Sequence, residues 1–109
     1  MFDPLMIERH LLSTNLCGCY ISNFDLAKIA KSCDIELDLT DRAKMLKLLL
    51  KKAHQEDKIQ LLTQTLIAFL ANRASKFSRY PQNPIFAEQL HKIRATQQLL
   101  ARFAHAPLN

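Results

Sequence analysis

The sequence predicts an all-α fold, a compact bundle of four to five amphipathic helices, and three observations predict it. One glycine among 109 residues is too few for a fold of many tight turns, whose left-handed positions favour glycine. Leu, Ala, Lys and Gln, all good helix formers, dominate the segments between capping signals. Apolar residues recur three and four apart within those segments, the period of a one-sided helix. The length fits a single domain spanning 1–109, and the 49% apolar content excludes a disordered chain.

The first helix is expected to start at Asp3 as N-cap with Pro4 in the first helical position, where a missing N–H costs nothing. Leu5, Met6, Ile7, Leu11, Leu12 and Leu16 give it a broad apolar surface, and Gly18 stops it in the left-handed conformation. A second helix begins at Ser22 or Asn23, with Ser22 and Asp25 spaced as a capping box, and runs to about Asp34. Phe24, Ala27, Ala30 and Cys33 share one of its faces, with Leu26 and Ile29 beside them. Ile35, Leu37 and Leu39 then alternate with Glu36 and Asp38. So short and isolated an alternation reads as an extended linker tucking side chains onto the bundle, not as a sheet strand.

Thr40 is expected to cap the third helix, whose apolar face is Met45, Leu46, Leu49, Leu50 and Ala53. A polar junction, 54–58, breaks the chain before the fourth helix, about 56–77, where Ile59, Leu62, Leu66, Phe69, Leu70 and Phe77 fall on one stripe. Ala68, Ala71, Ala74 and Ser75 form a small-residue patch suited to a close neighbour. Pro81 disfavours helix at Tyr80, and Asn83 caps the fifth helix ahead of Pro84. Phe86, Leu90, Ile93, Leu100 and Phe103 line its buried side, with Gln97 a polar interruption, and Pro107 ends it.

The net charge of +5 is uneven: residues 1–40 carry three basic and six acidic side chains, residues 41–109 twelve basic and four acidic. This points either to an acidic partner or to ordinary lysine-rich solvated helix faces. No stretch has the roughly 18 uncharged apolar residues of a membrane span, and the N-terminus lacks the pattern of an export signal. A cytoplasmic location and reduced cysteines are the expectation.

The densest chemical cluster is Cys17-Gly18-Cys19, with His10 upstream and Cys33 downstream. One intervening residue is fewer than the two to four usual in a zinc pair, so packing is favoured over metal binding and no cofactor is expected. His91, Arg94, Gln98, Arg102 and His105 make a polar, basic stripe on helix five, and Lys44, Lys47 and Lys51 a second on helix three. His54 beside Glu56 and Asp57 reads as a polar junction. With no nucleophile assignable to a base and no glycine-rich phosphate loop, no catalytic residue is expected.

Leu26-Ala27-Lys28-Ile29-Ala30-Lys31-Ser32-Cys33-Asp34-Ile35 resembles the first helix and turn of helix-turn-helix DNA-binding domains, which read Leu-Ala-x-Ile-Ala-x-x-x-Gly-Val. That resemblance implies a DNA-binding regulator using Lys28 to Lys51. It departs at the turn, where Asp34 stands in place of glycine, and Glu36 and Asp38 would face phosphates. The leading expectation is instead a small non-enzymatic accessory or adaptor protein. It would bind a protein partner, acidic or a second copy of itself as a homodimer, through a helical face. Lys44, Lys47, Lys51, Arg94 and Arg102 are its expected charged contacts.

Overall fold

The computed structural model describes residues 4–105, with the side chain of His105 excepted. Six helices follow one another: α1 Pro4–Leu12, α2 Thr14–Cys17, α3 Asn23–Ser32, α4 Arg42–Gln55, α5 Ile59–Phe77 and α6 Pro84–His105. No strand occurs among the described residues. The expected cap at Asp3 and stop at Pro107 lie outside the described residues.

The count exceeds the four to five expected because the first helix is two. Ser13 leaves the helix for an extended conformation (φ −94°, ψ 112°), and its hydroxyl accepts the Leu16 N–H at the start of α2. A serine hydroxyl that can satisfy an orphan N–H favours a cap over a helix interior. The broad apolar surface expected of this segment is correspondingly reduced: Ile7 and Leu11 are buried, while Leu5, Met6 and Leu16 are exposed. Gly18 ends α2 at φ 95°, as its sequence position predicts.

The capping box is present, with the Ser22 hydroxyl accepting the Asp25 N–H (3.0 Å) and the Asp25 carboxylate accepting the Ser22 N–H (2.9 Å). The buried face of α3 is Leu26, Ile29, Ala30 and Cys33; Phe24 is 63% exposed, contrary to the expected face. The helix is rotated so that the two larger aliphatics are covered and Asp25 meets Arg73 of α5 at 3.1 Å. α3 then closes on Asp34 in the left-handed region (φ 55°), with Ile35 N–H bonding Ala30 C=O and Asp34 N–H bonding Lys31 C=O. This double bond pattern satisfies the orphan carbonyls of the last turn. The linker buries Ile35, half-buries Leu37 and exposes Leu39.

Asp41, one residue beyond the expected Thr40, caps α4 by accepting the Lys44 N–H. α4 and α5 are separate helices, as expected, although neither glycine nor proline divides them. Asp57 at φ 57° repeats the termination of α3, with Lys58 N–H on Ala53 C=O. Aspartate is one of the few residues that enters this region at modest cost. α5 therefore starts at Ile59, later than expected. Asn83 caps α6 by accepting the N–H groups of Ile85 and Phe86.

α5 and α6 form an antiparallel hairpin: Gln97 Nε2 donates to Ile67 C=O, and at the other end Phe77 packs on Phe86 with ring centroids 5.3 Å apart. α1 touches α4 and α6, and α4 touches α5, so these four helices close a ring; α3 rides on α4 and α5, and α2 on α6. The ring's core holds Ile7, Leu49, Leu62, Leu66, Ile93 and Phe103. The shortest extent, 19 Å, is about two helix diameters, so each helix keeps an outer face toward solvent. The small patch on α5 is one such face, with Ala68, Ala71 and Ser75 exposed and only Ala74 packed against the core.

Candidate functional site

The expected charged contacts fall on two helices. Lys44, Lys47 and Lys51 are exposed on α4, opposite its buried Met45, Leu46, Leu49, Leu50 and Ala53. Leu48, beside them on the same helix, is 39% exposed. None of the three forms an ion pair among the described residues. Arg94 and Arg102 lie on the outer face of α6 with His91 and Gln98. Since α4 and α6 share no contact, the two groups do not form one continuous patch. The apolar face of α4 is covered within the chain: Leu46, Leu49 and Leu50 are at most 5% exposed. At the junction, Glu56 pairs with Lys58 at 3.2 Å while His54 stays exposed.

Helix-turn-helix geometry is likewise absent from the segment with the resemblance. Residues 33–41 separate α3 from α4, longer than the three- to four-residue turn of that motif. α4 uses its leucines to pack on α1, α3 and α5.

The Cys17-Gly18-Cys19 turn is buried against α6. Cys17 and Cys19 are free, adjacent thiols, and Cys33 is placed elsewhere, its Sγ 3.4 Å from Thr65 Oγ1 of α5. The Cys19 thiol and N–H bond to Cys17 Sγ, and the Cys17 thiol lies below its ordinary range for that reason. Donating that bond, with burial, pushes Cys19 well above its own. His10 is not turned to these thiols: its Nε2 is 2.8 Å from Thr96 Oγ1, and burial holds the imidazole below its usual pKa. Thr96 lies in reach of Cys17 C=O (3.2 Å) and Lys92 C=O (2.9 Å), so one buried hydroxyl joins α1, α2 and α6. No group of three or more His, Cys, Asp or Glu placed to hold a metal occurs among the described residues.

Beside this turn opens a cleft of about 310 Å³ between the end of α5 and the start of α6. Arg73, Lys76 and Phe77 come from α5, Ile85, Phe86 and Gln89 from α6, and Cys19 and Tyr20 from the turn. Arg42 holds the turn in place: its Nε donates to Ile21 C=O at 2.6 Å, Nη2 to Leu12 C=O at 3.3 Å, and its guanidinium lies 4.2 Å from the Tyr20 ring centroid. Gln89 Oε1 is buried without a hydrogen-bond partner among the described residues. A second, smaller cleft of about 230 Å³ lies between the α5–α6 loop and α6, with His91 and Arg94 in its wall.

Sequence reasoning did not single out Arg42, Arg73, Lys76, Gln89 or Thr96. A signal existed for Arg73, which interrupts the buried stripe of α5 between Leu70 and Phe77. For Gln89 there was none, because a glutamine on an amphipathic helix is ordinary. No helix among the described residues is long and apolar enough to cross a membrane. Comparison with known protein families, characterised proteins and solved structures finds no match to this chain.

Proposed function

We propose that this chain is a small, non-enzymatic cytoplasmic adaptor that docks an acidic protein partner on the outer face of α4. One observation carries the reading: Lys44, Lys47 and Lys51 stand three and four residues apart beside the exposed Leu48, and none of them forms an ion pair among the described residues. An apolar anchor flanked by a stripe of exposed lysines complements a helix carrying carboxylates at the same spacing. Such steering raises association rates most at low salt. A second copy of the chain is a poor occupant of this face, because lysine would meet lysine. Arg94 and Arg102 on α6 would serve a separate contact.

The test is capture by the immobilised chain from nuclease-treated native lysate, with K44E/K47E/K51E and R94E/R102E as variants. The reading expects an acidic protein retained by the wild type and by R94E/R102E, and lost from the α4 variant. Equal capture by all three chains contradicts it. Capture from a parallel untreated lysate that is lost on nuclease treatment favours a nucleic-acid ligand instead.

A further inference from the structure

We propose that the paired thiols of Cys17 and Cys19 bind a single copper(I) ion as a two-coordinate bis-thiolate. Three observations converge. The two sulfurs already meet across one residue, the Cys19 S–H and N–H both bonding to Cys17 Sγ. Cys17 is fully buried, and Cys19, 5% exposed, lines the cleft of about 310 Å³, which gives a small ion a way in. The turn that carries them is held in place. Gly18 lies at φ 95° against the α6 backbone, Thr96 Oγ1 is 3.2 Å from Cys17 C=O, and Arg42 Nε donates to Ile21 C=O at 2.6 Å. A pair of donors fixed in advance loses little freedom on binding.

The donor set chooses the ion. Thiolates are soft ligands that select copper(I), zinc and iron–sulfur clusters. Structural zinc and iron–sulfur sites draw on four protein ligands. No group of three or more His, Cys, Asp or Glu is placed to supply them among the described residues. His10 is turned to Thr96 and Cys33 to Thr65. Copper(I), with its filled d shell, needs only two thiolates in line. The ion takes the place of the proton shared between the sulfurs. Both thiol protons leave, no electron moves, and the complex carries one negative charge. Arg42 beside Cys17 and Arg73 beside Cys19 favour such an anion, with Asp25 opposing in part. The turn is on another part of the fold from the α4 lysines, so the inference stands apart from the adaptor reading.

The experiment titrates the reduced full-length chain under nitrogen with copper(I) held by the coloured chelator bicinchoninate, alongside Cys17→Ser, Cys19→Ser and Cys33→Ser. The wild type and Cys33→Ser should each take one ion from the chelator. Either turn variant should lose more affinity than the roughly 10- to 100-fold that removal of an outer-shell partner costs. X-ray absorption of the loaded wild type, which needs no variant, should show two sulfur neighbours and no nitrogen. The urea midpoint of the wild type should rise with copper(I), because the ion binds the folded turn. A wild-type chain that takes no copper from the chelator overturns the proposal. So does a turn variant of wild-type affinity, an equal loss in Cys33→Ser, or a third sulfur or a nitrogen neighbour. A midpoint that falls also overturns it, because the thiols would then be captured only after unfolding.

Discussion

Gly18 meets Gln89 backbone to backbone: a Cβ on Gly18 would stand 2.7 Å from the Gln89 carbonyl oxygen and 2.8 Å from the Ile93 nitrogen. Both atoms belong to the α6 backbone and cannot swing aside. The same glycine is at φ 95°, where any side chain is strained. Gly18→Ala should therefore cost at least about 2 kcal/mol, the sum of left-handed strain and overpacking. Urea unfolding measures it, and an alanine variant within about 0.5 kcal/mol of wild type would show that the turn does not press on α6.

Asp25 gives the fold an acid-sensitive contact. Burial pushes its carboxyl up, but bonds from the Ser22 N–H and hydroxyl and the charges of Arg73 and Lys28 outweigh burial and hold it below the usual carboxylate range. A lowered folded pKa contributes stability above the unfolded value near ~4, lost as pH falls through the folded value. Asp25→Asn should cost about 1 kcal/mol at pH 7, the scale of a lost cap. The two chains should converge once pH has fallen below the folded value. A constant difference from neutral to acid pH would contradict the charge's role.

Asp57 ends α4 at φ 57° with its side chain exposed. Glycine there relieves left-handed strain at little loss of contact, so Asp57→Gly should raise stability by about 0.5 kcal/mol or more, while Asp57→Ala should lower it. Thermal melts of the two variants moving in the same direction would contradict this termination.

All three cysteines are buried, at 0% (Cys17), 5% (Cys19) and 1% (Cys33) exposure. A bulky aromatic disulfide reagent should label the native chain at least about a hundredfold more slowly than the urea-unfolded chain, because labelling waits on local opening. Immediate labelling of Cys19 would mean that the turn stands open.

The helical architecture was legible because it depends on period and punctuation, both local. Ser22, Gly18 and Asn83 act where their chemistry predicts, and the core stripes of α4 and α5 follow from spacing alone. What misled was rank among neighbours. Leu5, Met6 and Leu16 look as apolar as Ile7 and Leu11, and only the packing of α1 on α4 and α6, and of α2 on α6, decides which are covered. Phe24 is exposed for a related reason, since Asp25 is held to Arg73, a partner far away in sequence. Asp34 and Asp57 terminate helices without the glycine that usually signals it. The cleft was invisible, because its walls come from three segments far apart in the chain.

The central claim, docking on the α4 face, is tested most directly by a photo-crosslinking benzophenone amino acid in place of Leu48, with a matched chain carrying it at Ala71 on the outer face of α5. The account predicts a protein adduct from position 48, of acidic sequence, that disappears when Lys44, Lys47 and Lys51 are reversed. Adducts of equal yield from position 71, or an adduct at 48 indifferent to the lysines, would contradict it.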